Sequence, residues 1–246
     1  MDRSVYLSMT GATQIMRAQD AVSHNLANAS TVGFRTELNA FQSVPVLGDG
    51  EASRINAVAQ GVGQDLRQGS SITTGNPLDV AVQGAGWIAV QTPDGTEGYT
   101  RAGDLQLTGD GQLTDSRGNA VLGGSGPITL PPAAQVSIGQ DGTISAVPLG
   151  QGPSSVTTLE RIRLVNPDPT QLQQGADGLM HMADGSQAPA DTGVKLASGV
   201  LEGSNVNPSA ELVRMIALSR QYDMQVKSIK SAEDNADSAN KLLQAN

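Results

Sequence analysis

The placement of helix-breaking residues constrains this sequence more than any other feature. All 12 prolines and all but one of the 29 glycines lie between residues 33 and 208, the exception being Gly11. Within a helix, glycine costs about 1 kcal/mol and proline about 3 kcal/mol relative to alanine. Long helices are therefore confined to the two ends, and the middle is left to turns and extended chain. Charge follows the same boundaries. The ends are nearly neutral, so the net charge of −9 belongs to the middle, which suits a wetted surface there and packed surfaces at the ends.

The N-terminal helix is expected over residues 4–28. Val5, Met9, Ala12, Met16, Val22 and Leu26 recur at helical spacing as one narrow apolar stripe, and Asn28 is placed to close the helix in a left-handed turn. For the C-terminal helix, Asn207 is a suitable N-cap, Pro208 stands at the first helical position and Glu211 favours the positive end of the dipole. Met215, Tyr222, Ile229, Ala236 and Leu243 then recur every seven residues, with Leu212 and Val226 in companion positions that Ser219, Glu233 and Asn240 fill elsewhere. An apolar repeat of seven indicates a coiled-coil contact. At 1.5 Å per residue the helices measure roughly 37 Å and 57 Å, so the second outruns the first and points to assembly with other chains.

Between them, Leu78/Val80/Val82, Ile88/Val90, Val136/Ile138 and Ile162/Leu164 alternate as strands do, and Asp-Gly pairs at 49–50, 94–95, 110–111, 141–142, 177–178 and 184–185 mark hairpin turns. The expected class is α+β: long terminal helices paired as a coiled coil, a central antiparallel β-rich domain and an extended connector. The expected boundaries are 1–35 and 206–246 for the helical domain, 36–76 for the connector and 77–205 for the β-rich domain.

Composition removes most chemistries. Aromatics are only 2% of the chain and acidic residues outnumber basic ones 24 to 15, against the basic patches and stacking rings of a nucleic-acid binder. With no cysteine and only His24 and His181, thiolate zinc, disulfides and cysteine nucleophiles are excluded, and no metal, cofactor or small-molecule substrate is expected. Gly84-Ala85-Gly86 resembles a dinucleotide fingerprint, but Trp87-Ile88-Ala89-Val90 continues as a strand where that fingerprint needs a helix, so a tight hairpin turn is the better reading. Trp87 reads as the large anchor of the β-domain. Glycosidase-like carboxylate pairs lack aromatic platforms. No catalytic residue is assigned. The N-terminus carries no secretory leader and no apolar run of membrane-spanning length occurs, which places the chain in the cytoplasm unless another export route reads it.

Three stretches then carry a resemblance: NLANASTVGFR from Asn25 to Arg35, PLDVAVQGAGWIAV from Pro77 to Val90 with GYTRAGDLQL from Gly98 to Leu107, and SGVLEGSNVNP from Ser198 to Pro208. Their content and order resemble the flagellar rod and hook proteins. The opening MDRSVYLSMTGATQ and the closing YDMQVKSIKSAEDNADSANKLL are most similar to the proximal rod members, with a distal rod subunit as the alternative and a soluble carbohydrate-binding or hydrolytic protein as the rival from another class. The resemblance implies a structural subunit whose terminal helices form the inner layer of a hollow helical tube, with copies of itself and other rod subunits as partners. It also implies passage through the flagellar type III export apparatus to a periplasmic rod without a cleavable signal. On this resemblance Asn25, Asn28, Thr31, Gly33 and Phe34 form the turn after the first helix, while Leu201, Gly203, Asn205 and Val206 bring the chain back. The apolar stripes named above make the assembly contacts.

Overall fold

The computed structural model describes residues 3–45, 55–150 and 155–244. The chain divides into two compact units, residues 1–29, 35–66 and 206–246 forming one and residues 30–34 and 67–205 the other. The first holds helix α1 (Arg3–Ala27), strands β1 (Glu37–Pro45) and β2 (Ile55–Gln64), and helix α2 (Pro208–Gln244). Asn28 ends α1 by donating its Nδ2 to the His24 carbonyl at 3.0 Å. Among the described residues only glycine takes a positive φ, so the left-handed closure expected of Asn28 is replaced by this side-chain bond. At α2 the expected cap forms: Asn207 Oδ1 accepts from the Ala210 N–H at 3.1 Å.

Residues 36–76 correct the expectation of an extended connector. They contain an antiparallel hairpin, Glu37 opposite Gln64 through Pro45 opposite Ile55, that belongs to the helical unit. Most of β1 is exposed along its length. A strand wetted on both faces has no reason to alternate polar and apolar residues, which is why the sequence shows no period there.

The second unit opens with β3 (Ser71–Thr73), β4 (Val80–Gln83), β5 (Trp87–Gln91), β6 (Glu97–Thr100), β7 (Gln106–Leu107), β8 (Leu113–Thr114) and β9 (Ala120–Val121). It continues with β10 (Ala133–Ile138), β11 (Thr143–Pro148), β12 (Thr157–Arg161), β13 (Leu164–Val165), β14 (Leu172–Gln174), β15 (Met180–Met182), β16 (Lys195–Ser198) and β17 (Val200–Glu202). The main sheet runs β14-β15-β6-β5-β9-β8-β7, with β13 also on β5; β10-β11-β12, β16-β4 and β17-β3 make smaller sheets. Pairing between these strands is antiparallel, as expected.

The core gathers Val80, Val82, Ile88, Val90, Leu113, Val121, Ile144 and Leu196 from these sheets, with Ile162 from the link between β12 and β13. Strands β4 and β5 are buried on both faces, Ala81 and Ala89 included, where alternation had suggested one wet face. Trp87 is buried as expected. Gly84 and Gly86 do not close a hairpin, since β4 pairs with β16 and β5 with β6, β9 and β13. They carry the chain from one sheet to the next, and a methyl group on Gly86 would lie 2.7 Å from both Val194 methyls.

In the Asp-Gly pairs from 94–95 onward glycine holds φ between 71° and 84°, the conformation these turns demand and other residues resist; the pair at 49–50 lies outside the described residues. The acidity of the middle has a local use here. Asp141, Asp168 and Asp184 each accept from the hydroxyl of the residue two positions on, at 2.7 Å, and from its backbone N–H. Those hydroxyl bonds, then the amide bonds, hold the three carboxyls below the ordinary aspartate range. Asp115, Asp177 and Asp191 cap backbone N–H groups in the same way.

Candidate functional site

Within the helical unit, α1 and α2 pack antiparallel, the direction being legible from side-chain pairs: Ser8 Oγ lies 3.2 Å from Ser228 Oγ, while Ile15, Ala18 and Val22 bury Leu218 with Met215 and Tyr222 beside it. Gly11, the lone glycine of the helical ends, faces Gln225, whose side chain would lie 3.3 Å from an added methyl. A small residue lets the two backbones approach.

The expected coiled coil is corrected. With 25 residues against 37, α1 accompanies α2 over only part of its heptads, and the seam includes polar or small residues at Ser8, Gly11, Gln225 and Ser228. The register is corrected too. Met215, Tyr222, Ile229 and Ala236 are half-buried, but their companions are Glu211, Leu218, Gln225 and Ala232, and Leu212 and Val226 stand 48% and 44% exposed. Apolarity pointed to the wrong neighbour because polar Glu211 and Gln225 occupy the inner positions. The side chain of Leu243 lies outside the described residues.

On α1 the buried face is rotated from the expected stripe. Ala12 and Val22 are buried and Val5 and Leu26 half-buried, whereas Met9 and Met16 are 52% and 51% exposed. Ile15 and Ala18, missed in the sequence, take the seam, with Gln14 beside them accepting the Ala59 N–H of β2 on its Oε1 at 3.0 Å. Asn25, 1% exposed, is not a turn residue. From the last turns of α1 it accepts the Glu37 N–H at 2.9 Å and donates to the Glu37 carbonyl at 3.1 Å, mimicking a strand neighbour. His24 Nδ1 lies 2.9 Å from Glu37 Oε1. The hairpin is thus tied to α1 by side chains with no apolar signature.

Within the β-rich unit, the outgoing segment 30–34 and the returning segment 200–205 meet. The Gly33 N–H donates to the Glu202 carbonyl at 2.7 Å and the Asn205 N–H to that of Phe34 at 3.4 Å. Gly33 holds φ +69°, and a Cβ there would lie 2.3 Å from the Ala102 nitrogen. Phe34 is buried, and its N–H turns back to the Thr31 carbonyl at 3.3 Å. Leu201 pairs with Ile72, the Gly203 N–H donates to the Ser70 carbonyl at 2.8 Å, and Asn205 Nδ2 donates to that of Arg67 at 2.9 Å. Val206 is buried at the start of the helical unit's last segment.

Behind this crossing lies a pair the sequence reading missed. Arg101 Nη1 is 3.1 Å from Glu202 Oε2, with both side chains 4% exposed. Arg101 also donates to the Gly84 carbonyl at 2.7 Å and lies 5.3 Å from the centre of the Trp87 ring, and Glu202 Oε1 accepts from the Gly69 N–H at 3.0 Å. A charged residue inside each of two quoted motifs was the available signal.

His181 places both ring nitrogens against acceptors, the Glu97 carbonyl at 2.8 Å and the Asp177 carboxylate at 3.0 Å, so neither faces a nucleophile. Among the described residues no three His, Asp or Glu side chains converge as a metal site would require.

Comparison with known proteins finds family models that match the chain in three places. The model for "Flagella basal body rod protein" matches residues 6–35, that for "Flagellar hook protein FlgE/F/G D1 domain" residues 81–146, and that for "Flagellar basal body rod FlgEFG protein C-terminal" residues 197–242. The chain is 44% identical to the flagellar basal-body rod protein FlgF of Escherichia coli strain K12 and 43% identical to that of Salmonella typhimurium, over 99% of each chain. It is 31% identical to the flagellar basal-body rod protein FlgG of Buchnera aphidicola from Schizaphis graminum, over 94% of this chain and 95% of the relative.

Proposed function

We infer how this chain works from one premise: it belongs to the flagellar basal-body rod protein family, as a FlgF-like member, and is a structural subunit of the basal body rather than an enzyme. It interacts with other rod and hook components; the carbohydrate-binding or hydrolytic alternative falls away. The finer reading is a subunit of the proximal rod that transmits torque from motor to hook. Residues 1–35 and 206–246, with the 37–64 hairpin held against α1, form the inner layer of a helical tube and 77–205 its outer body. Copies of this chain, neighbouring proximal rod subunits and the distal rod protein are the partners. The chain reaches the periplasm through the type III export apparatus.

One observation carries this reading. Both helices keep a second apolar face after their mutual seam is buried: Met9 and Met16 on α1, and Leu212, Val213, Ile216 and Val226 on α2, all exposed. Contiguous exposed apolar faces mark sites of protein contact. Val5 continues the Met9–Met16 face, Met215, Tyr222, Val22, Leu26, Ile229 and Ala236 lie on the seam side that holds the pair together, and Leu243 falls on the length of α2 that outruns α1. Asn25 and Asn28 shape the end of α1, Thr31, Gly33, Phe34, Leu201, Gly203 and Asn205 hold the crossing of the outgoing and returning segments inside the β-rich unit, and Val206 leads into α2.

The test replaces Leu212 and Ile216 together by Glu in otherwise motile cells. The variant folds with unchanged circular dichroism but is absent from purified basal bodies. Normal incorporation overturns the reading.

A further inference from the structure

Resting on that assembly role, we propose that the cleft between α1, α2 and β1 receives the Met9–Met16 face of α1 from a second copy of this chain. The cleft measures about 260 Å³, and its lining includes Ala18, Ala21, Ala217 and Leu218 with Glu37 and Arg214. The alanines lie where larger residues would close it. An apolar floor under a polar rim is the anatomy of a contact site.

The occupant is displayed by the same molecule. Met9 and Met16 are seven residues apart, hence on one face of α1, and each is about half exposed, at 52% and 51%. Met16 and Ala18 are two residues apart, so their directions differ by about 200° around the helix. The protruding face and the cleft therefore point to opposite sides of α1. A contact that joins one surface of a subunit to a different surface of the next is heterologous, and repetition generates rings or open helices rather than closed dimers. Methionine suits the protruding role, because its unbranched side chain fits a cleft of small residues through several rotamers. The charges correspond as well. Arg17 and Asp20, exposed beside Met16, present one cation and one anion to a rim holding Glu37 and Arg214.

The chain has no cysteine, so one copy can be linked to another only through the introduced pair. Met16→Cys and Ala217→Cys are combined in one chain that is the sole copy in flagellated cells, and isolated basal bodies are oxidised and run without reductant. The expected result is a ladder of linked chains extending past the dimer, with each single variant remaining monomeric. Dimers from either single variant, or an incorporated double variant without links between chains, overturn the proposal. Incorporation is read from the same basal bodies, so that failure leaves the rod reading standing. A second measurement fills the cleft: Ala217→Trp, with unchanged circular dichroism, lowers incorporation about tenfold relative to Ala217→Ser, the scale of one lost anchoring contact. Equal incorporation of the two also overturns it.

Discussion

Arg101 and Glu202, 101 positions apart in the chain, form an ion pair of 3.1 Å with both side chains almost fully buried. Through the guanidinium the pair reaches the Gly84 carbonyl, and through the second carboxylate oxygen the Gly69 N–H. One buried pair therefore joins β17 to the connections on either side of β3 and β4. A hydrophobic pair of equal volume would fold here, but it would not pin those backbone groups.

Breaking this pair from one side is the costly change. Glu202→Gln or Arg101→Met is expected to destabilise the β-rich unit by about 3–5 kcal/mol, because a buried charge loses its partner. Replacing both by methionine costs markedly less. Urea unfolding of the three variants checks the order, and equal losses in all three would show that the ion pair itself is not the source.

Gly33→Ala is expected to cost about 1–3 kcal/mol from the left-handed backbone alone, and more because the new methyl meets backbone atoms of Arg101 and Ala102 closer than 2.5 Å. Gly84→Ala supplies the control, since φ is +75° there with nothing within 4 Å of the added methyl. The difference in unfolding midpoint between the two variants measures the clash.

Burial pushes the Tyr99 phenol up to about 12 from 10.0, with the hydrogen bond to Glu97 adding to the rise and the bond from the Ala188 N–H opposing it. The folded state thus holds this proton more tightly than the unfolded chain. Its stabilising share is complete below pH 10 and is lost as pH climbs towards 12, amounting to about 2–3 kcal/mol. Tyr99→Phe removes that portion of the alkaline loss while costing about 1–3 kcal/mol at neutral pH, where Ala188 and Glu97 lose a partner. Thermal melts of both proteins from pH 8 to 12 separate the two effects.

Asn25→Ala is expected to free the start of the hairpin. The Glu37 N–H and carbonyl lose the partners they have at 2.9 and 3.1 Å, and the Glu37 amide exchanges with solvent about tenfold faster, the equivalent of one lost hydrogen bond. Hydrogen exchange read by NMR checks this, with amides of β5 as the unaffected reference.

What the sequence disclosed and what it hid have a common physical origin. Glycine and proline act locally, so their distribution bounded the helices, and the Asp-Gly pairs at 94–95, 110–111, 141–142 and 177–178 close hairpins as expected, while that at 184–185 turns the chain between strands that do not pair. The Asn207 cap was legible for the same reason. The seam between the helices was not, because its positions include Gly11, Gln225 and Glu211, whose burial depends on what stands opposite. The β1–β2 hairpin was hidden because a strand exposed on both faces obeys no period. Asn25 stands in a motif that points to a turn, but its amide replaces a strand partner, which composition does not announce. Arg101 and Glu202 were invisible singly, since a lone charge declares itself structural only when its partner is known.

The contact between Ser8 and Ser228 spans 220 positions of sequence, and this fixes an order in time. Strands of the β-rich unit find most of their partners within a few tens of residues, so that unit can close while the C-terminal segment is still to come. Helix α1, though first in the chain, has no seam to complete until α2 arrives, and contacts between distant segments form slowly. Whichever end leaves a ribosome or a channel first must wait for the other. The part of the molecule best suited to joining its neighbours is thus the last part to acquire a shape.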